Sequence, residues 1–158
     1  MKHLRHSPKP ALLLGSSGLI PFISAPCYLI MSQTYLHHIA FAQLMYGATI
    51  LSFLGGVRWG YVITKDELLN WFNLGYSVTP PLIAWIGLLF PFPIGMITMI
   101  SGLALSAYFD TMLRGYPPWF KALRFTLSFF AVLSLWTTFV CRYLLDHPQE
   151  NRDELTNQ

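Results

Sequence analysis

Two residues of opposite charge, Arg58 and Asp110, lie inside long apolar runs of the sequence. An isolated charge is costly to remove from water, so each of them needs compensation. Ions within a membrane are usually paired or face water, and they are functional candidates by default. Arg58 therefore has three possible environments: an ion pair with Asp110, a side chain that extends to the lipid phosphates, or contact with a ligand.

The composition explains why these two charges stand out. Of the 158 residues, 54% are hydrophobic and only 11% are charged, and the mean hydropathy is +0.47. Soluble domains carry roughly 25% charged residues, so most of this surface must face lipid. The ten Lys and Arg residues occur in short clusters between apolar runs, a pattern that indicates membrane topology and argues against a nucleic-acid partner.

Five apolar segments are long enough to cross a bilayer, which takes roughly 20 helical residues. They run over Ala11–Met31, about Ile39–Ile63, Leu69–Phe90, Ile94–Leu113 and Phe120–Leu145. We predict an all-α fold, a polytopic membrane helix bundle with five transmembrane helices. Residues 1–10 form a basic N-terminal segment, 11–145 the transmembrane domain, and 146–158 a polar tail that we expect to be disordered.

The basic residues also predict an orientation, because successive loops alternate between the two sides of the membrane. Eight of the ten fall on one side: Lys2, Arg5, Lys9, Arg58, Lys65, Arg114, Lys121 and Arg124. The other side has Arg142 and Arg152. This bias puts the N-terminus on the cytoplasmic side, or on the matrix side of a mitochondrial membrane.

The same topology relates the two intramembrane charges. The second and fourth helices both run toward the positive side, so Arg58 and Asp110 lie at similar depth near its interface. We therefore predict an intramembrane ion pair between them. In that case Asp110→Ala should destabilise the protein. The exchange Arg58→Asp/Asp110→Arg should partly restore its stability.

Small residues follow each of these helices at a spacing of four, which keeps them near one face. Small side chains allow membrane helices to approach closely. The predicted helix-packing positions are Ala48, Ser52, Gly56 and Gly60, with Gly55 in a neighbouring row, and on the fourth helix Gly102 and Ser106.

A pair of prolines, Pro80 and Pro81, lies near the middle of the third helix. Proline lacks an amide donor, so the pair should kink or locally open the helix and leave carbonyls that need partners. The hydroxyls of Ser77 or Thr79 could satisfy them within a packed kink, or the opening could belong to a transporter binding site. In the first helix, Pro21 and Pro26 carry the same ambiguity.

Catalytic and metal-binding motifs are not found in the sequence. We see no HExxH, CxxC, phosphate-loop or GxSxG pattern, and adjacent His37 and His38 do not share a helix face. Cys27 and Cys141 fall near the same end of the bundle, so a disulfide is allowed beside the alternative of two free thiols. We expect no catalysis, no cofactor and no metal.

Four segments carry a resemblance to a known family: "GLIPF" from Gly18, "YGATILSFLGGVRWG" from Tyr46, Pro81-Leu82 with Trp85, and "PPWFKALR" from Pro117. The chain resembles the transmembrane protein 69 family over roughly Lys9 to Arg142. That family comprises small multi-pass animal proteins related to a bacterial domain of unknown function, and the resemblance implies a location in the mitochondrial inner membrane without established catalytic residues. Its animal members have a longer N-terminal extension, so a short isoform or an incomplete gene model is expected here.

Two classes of function follow from these observations. The preferred one is a structural or assembly protein of an organelle inner membrane, acting through the lipid bilayer and unidentified membrane proteins. The alternative is a small transporter or channel with a polar site around Arg58 and Asp110.

Overall fold

The computed structural model describes residues 9–113 and 115–156, and side chains up to residue 145. Its helices are α1 (Lys9–Ser17), α2 (Ile20–Ser32), α3 (His37–Val62), α4 (Trp71–Leu89), α5 (Phe92–Met112) and α6 (Pro118–Thr156), with a short 3-10 helix at Asp66–Leu68. Five helical segments are long and apolar enough to span a membrane, since α1 and α2 together form the first, Lys9–Ser32. The predicted all-α, five-span fold is confirmed.

The first span differs from the single helix that the sequence predicts. It is interrupted between Ser17 and Ile20, where Gly18 and Leu19 form a turn. Pro21 follows at the start of α2, a position that tolerates a residue without an amide donor. The hydroxyl of Tyr46 donates to the Gly18 carbonyl across 2.9 Å and so ties this turn to α3. Residues 1–8 of the predicted basic segment lie outside the described residues.

The last helix is longer than its apolar part. Its membrane-spanning portion is Pro118–Leu145, whereas the helix as a whole ends at Thr156. The backbone of 146–156 is therefore helical where the sequence predicts a disordered tail. Glu150, Arg152 and Glu154 are good helix formers, and they extend a helix that the preceding span has already started.

Helix starts follow from local chemistry. The Asn70 side chain caps α4 by accepting a hydrogen bond from the Asn73 backbone amide at 2.8 Å. Pro93 lies in the first turn of α5, and Pro118 is the first residue of α6. These positions lose no helical hydrogen bond to proline because the first amides of a helix have no partner within it.

Helix α3 lies at the centre and contacts α2, α4, α5 and α6. The core between these helices consists of fully buried aliphatic and methionine side chains, including Leu44, Leu51, Met96, Met99, Leu103 and Leu135. Large apolar side chains also cover the outside, where Trp71 is 95% exposed. Such an exterior fits lipid, and close packing rather than hydrophobic burial then holds the helices together.

A buried polar cluster satisfies the backbone of α2 at its internal proline. Pro26 has no amide to bond the Phe22 carbonyl one turn earlier. The Gln43 amide donates to that carbonyl at 2.8 Å, and the Ser134 hydroxyl donates to it as well. Side chains from α3 and α6 thus supply the donors that α2 lacks, and the ambiguity at Pro26 resolves to a packed helix.

Candidate functional site

Asp110 lies between two arginines at the ends of three helices. Its Oδ1 is 3.4 Å from Nη1 of Arg58 on α3, and its Oδ2 accepts a hydrogen bond from Nη2 of Arg124 on α6. The exposed fractions are 1% for Asp110, 4% for Arg58 and 7% for Arg124. We call Arg58, Asp110 and Arg124 the charge triad. It brings together the two charges that the sequence predicts to pair, and adds a third.

A fourth helix joins the triad through Arg58. Nη2 of this arginine donates to the Asn73 side-chain oxygen on α4 at 3.4 Å, and its guanidinium lies 4.2 Å from the centre of the Tyr76 ring. The Asn73 side chain is held in turn by its own donation to the Leu68 carbonyl at 2.9 Å. Arg58 therefore points into the bundle, and its side chain does not extend to the lipid phosphates.

The triad carries a surplus of positive charge. In the described part of the chain, Asp110 is the carboxylate paired with these two arginines. Within the same residues, Nε of Arg58 and Nε of Arg124 are buried and have no hydrogen-bond partner. Buried charges and donors usually have partners, so the site has capacity for a further anionic or acceptor group.

Tyr116, in the connection between α5 and α6, reports on this environment. Its side chain is 6% exposed, and burial raises its pKa from 10.0 to about 12, with a further upward contribution from the Asp110 carboxylate. Both effects disfavour the phenolate because the ring is removed from water and placed near a negative charge.

The side chains of this site can bind an anion and hold helices together. Among the residues with described side chains, no three His, Cys, Asp or Glu residues form a group that could hold a metal ion. The two guanidiniums can hold a carboxylate or a phosphate through charge-assisted hydrogen bonds. The arrangement thus links helices and can bind an anion.

Two predicted packing positions lie at close helix contacts. A Cβ atom built on Gly55 would lie 2.5 Å from the Ser77 carbonyl oxygen and 2.6 Å from Cδ of Pro81, so α3 and α4 can meet here because this residue is glycine. On α5, a Cβ on Gly102 would lie 2.6 Å from Leu51 of α3. The predicted positions Ala48 and Ser106 are buried as well.

The predicted row on α3 does not keep to one face. Gly56 and Gly60 are exposed, and a Cβ on either would meet nothing within 4 Å among the described residues. Ser52 is half-buried. The prediction that Gly56 and Gly60 pack against helices of this chain is therefore wrong. The reason is geometric: four residues turn a helix by about 400°, so each step rotates the row by about 40° away from the contact.

The paired prolines lie in a continuous helix, since α4 runs through Pro80 and Pro81 to Leu89. The hydroxyl of Ser77 bonds the Asn73 carbonyl, and that of Thr79 bonds the Gly75 carbonyl. Pro80 and Pro81 leave the carbonyls of Tyr76 and Ser77 without an amide donor one turn later. Neither hydroxyl bonds one of these two carbonyls. The Ser77 carbonyl instead faces Gly55 at the close contact between α3 and α4.

The two cysteines are free thiols, with Cys27 exposed and Cys141 buried. The structure thus takes the second of the two alternatives that the sequence left open. Of the adjacent histidines, His37 stacks against Phe41 and also contacts the Phe92 ring.

Residues 7–140 match the family described as "Protein of unknown function (DUF3429)". The chain belongs to the DUF3429 family. The match spans all five membrane segments up to residue 140, so it includes the whole charge triad. With its five membrane-length helices, the chain is a multi-pass membrane protein of a family whose description assigns no function.

Two relatives of this DUF3429 chain carry the name Transmembrane protein 69, so the resemblance found in the sequence is confirmed. The one from Xenopus tropicalis is 48% identical over 140 residues, which cover 85% of this chain and 55% of the relative. The one from Mus musculus is 37% identical over 143 residues, which cover 87% and 58%. The chain thus spans somewhat more than half the length of these relatives. No solved structure matches it significantly.

Two residues of the site were not indicated by the sequence: Arg124 of the charge triad, and Asn73, which bonds Arg58. Arg124 lies in the "PPWFKALR" segment just after the start of α6, where a basic residue is expected at the positive side of a membrane. Asn73 lies in the first turn of α4, where polar residues are common. A signal for Arg124 existed, since Asp110 and Arg124 flank the short connection between α5 and α6.

Proposed function

We propose that this chain is a non-enzymatic structural or assembly protein of an organelle inner membrane, acting through protein or lipid partners. The observation that carries the proposal is the buried charge triad, which joins α3, α5 and α6 and reaches α4 through Asn73. A buried ion pair contributes little net stability, because the cost of removing the ions from water offsets their attraction. It does specify which helix ends meet, and a defined shape is what an assembly protein needs.

Transport is the weaker alternative. A transporter built on Arg58 and Asp110 needs them to line a polar path that reaches the prolines of α4. The two residues instead contact each other and are 4% and 1% exposed. Pro81 packs close to Gly55. Neither Arg58 nor Asp110 lines the cleft beside the first span, nor the cleft between α5 and α6 that Tyr108 and Phe129 line.

The mitochondrial inner membrane is the proposed location, with the N-terminus in the matrix. Two observations support the orientation: the bias of basic residues toward the N-terminal side, and the position of the triad at the ends of α3 and α5 and near the start of α6. The choice of organelle rests on the family resemblance that the sequence carries. Basic residues concentrate on the side of a membrane from which the chain is inserted.

Gene deletion combined with native separation of membrane complexes tests this proposal. We expect the chain to migrate with an inner-membrane assembly, and deletion to reduce that assembly until the wild-type chain is restored. The matched comparison is complementation with Asp110→Asn, which should restore it poorly at equal protein level, against Asp66→Asn in the exposed 3-10 helix, which should restore it fully. A chain that migrates only as a monomer, with all complexes unchanged on deletion, contradicts the proposal.

A further inference from the structure

A cleft of about 330 Å³ opens between the first span, α3, α5 and α6. This volume lies within the roughly 300–1,000 Å³ typical of ligand pockets. Its walls are mainly apolar: Leu14 comes from α1, Phe53 from α3 and Leu127 from α6. In a bilayer, apolar walls of this kind are in contact with lipid hydrocarbon unless another helix covers them.

One charged residue lines this cleft, and it belongs to the triad. Arg124 is among the lining residues, its side chain is 8% exposed, and its Nε has no hydrogen-bond partner among the described residues. Ser128, one turn further along α6, also lines the cleft. The cleft therefore combines an apolar wall with a buried guanidinium that retains a free donor.

The charge at this end of the cleft is not balanced. Two guanidiniums share the single carboxylate of Asp110. The groups that face the triad from neighbouring elements are neutral, namely Asn73 and the rings of Tyr76 and Tyr116. One further negative charge would neutralise the cluster, and a phosphate oxygen suits the buried, unpaired Nε donor of Arg124.

Position along the helix favours a lipid as the source of that charge. Arg124 lies six residues after the start of α6 at Pro118, which is about 9 Å along the helix axis. The half-buried Trp119 lines the same cleft, and tryptophan is enriched at membrane interfaces. The guanidinium is thus within reach of a headgroup phosphate whose acyl chain enters the apolar part of the cleft.

We propose that this cleft binds one anionic phospholipid from the surrounding bilayer, with its phosphate on Arg124 and an acyl chain along Leu14, Phe53 and Leu127. Basic pockets between membrane helices on the matrix or cytoplasmic side are recognised sites for anionic headgroups. The inference goes beyond the proposed assembly role, because binding of lipid needs no protein partner.

Native mass spectrometry of the full chain tests it, with phosphatidylglycerol and phosphatidylcholine of equal chain length added to the purified protein. We expect one phosphatidylglycerol per protein to remain bound, with an affinity about tenfold or more above that of phosphatidylcholine. Equal retention of the two lipids would overturn the proposal, because the positive charge would then have no role. Equal affinity for glycerol phosphate would also overturn it, because the acyl chain would have none.

The neighbouring residues Leu13 and Leu14 provide a matched pair of variants. Both are 73% exposed, but only Leu14 lines the cleft. Leu14→Trp should fill the cleft and reduce retention of phosphatidylglycerol by about tenfold, whereas Leu13→Trp should leave it unchanged. Neither substitution touches the triad, so folding is expected to persist and is checked by the melting temperature. Equal loss in both variants, or a dimer or bound protein in place of lipid, would refute a lipid site.

A lysine in place of Arg124 separates charge from geometry. Arg124→Lys keeps one positive charge but removes the planar guanidinium that can serve Asp110 and a phosphate together. We expect it to weaken phosphatidylglycerol binding while phosphatidylcholine binding stays the same. Unchanged selectivity in a folded Arg124→Lys protein would contradict recognition of the phosphate through the guanidinium.

Discussion

At the residue scale, the central feature is that one carboxylate holds two arginines in a buried site. Each Asp110 oxygen has its own guanidinium, so loss of the carboxylate leaves two uncompensated charges. Breaking a buried pair in this way is far more costly than the net contribution of the pair suggests. Asp110 is therefore the member of the triad whose loss should matter most.

Asp110→Asn should destabilise the protein by about 3–5 kcal/mol, since the side chain keeps its size but no longer balances the arginines. The measurement is thermal unfolding of the purified protein in detergent, followed by tryptophan fluorescence. The same substitution at exposed Asp66 serves as control and should stay within about 0.5 kcal/mol of wild type. A loss of similar size at both positions would contradict the importance of the triad.

Exchange of the predicted pair should not rescue the protein by itself. In Arg58→Asp/Asp110→Arg, the arginine introduced on α5 would face Arg124, and this like-charge contact replaces an attractive one. Stability should return in part only when Arg124→Met is added. Melting temperatures of the double and triple variants decide the matter, and full recovery in the double variant would show that Arg124 is not coupled to the pair.

The titration of Tyr116 makes the stability of the folded protein depend on pH. Its pKa is raised from 10.0 to about 12 in the folded protein, so the folded state keeps a proton that the unfolded chain loses above pH 10.0. The associated stability is complete below pH 10.0 and falls as the pH rises toward 12. Tyr116→Phe should therefore show a smaller drop in melting temperature than wild type over this alkaline interval. Parallel curves for the two proteins would contradict this environment for Tyr116.

At the element scale, helix contacts depend on rotation as well as spacing. Gly55 and Gly56 are adjacent glycines in "FLGGVRW", yet only Gly55 meets α4 closely. The sequence identifies α3 as a packing helix, but it does not specify which glycine faces a neighbour. That requires the helix rotation, which the contacts of α4 with α3 determine.

These two glycines make a controlled experiment. Gly55→Ala should destabilise by about 1–3 kcal/mol, because the new methyl group would overlap the Ser77 carbonyl and the Pro81 ring. Gly56→Ala should be neutral or up to about 1 kcal/mol more stable, since alanine favours the helix. Thermal unfolding in the same detergent provides both values, and equal effects would place the contact elsewhere.

The limits of prediction are clear from the polar residues of these elements. Arg58 and Asp110 could be paired from sequence because an alternating topology puts both at the same depth. Arg124 is a basic residue near a helix start, which the positive-side bias already explains, so its nearness to Asp110 in the sequence does not by itself indicate a pair. The break at Gly18 was missed as well, although Pro21 just after it is a typical helix-start signal.

At the scale of the whole molecule, five spans require that consecutive connections lie on opposite sides of the membrane. Single cysteines at Ser32 and Glu67, in a background with Cys27→Ser and Cys141→Ala, report on the first two connections. With the proposed orientation, an impermeant maleimide should label Ser32→Cys in intact mitoplasts, and Glu67→Cys only after permeabilisation. Labelling of both positions from one side would contradict the predicted topology.

The charge triad has a consequence for the order of biosynthesis. Arg58 is made 52 residues before Asp110, and Arg124 follows 14 residues after it. When α3 first leaves the ribosome, its arginine has no counterion. Insertion of an arginine costs up to about 2.5–3.5 kcal/mol at a helix centre, and less for Arg58, which lies four residues before the end of α3. The nascent helix should therefore stay beside the insertion machinery, at the wetter edge of the bilayer, until α5 delivers the carboxylate. Release of α3 into the lipid phase then depends on completion of the fourth span, which carries Asp110.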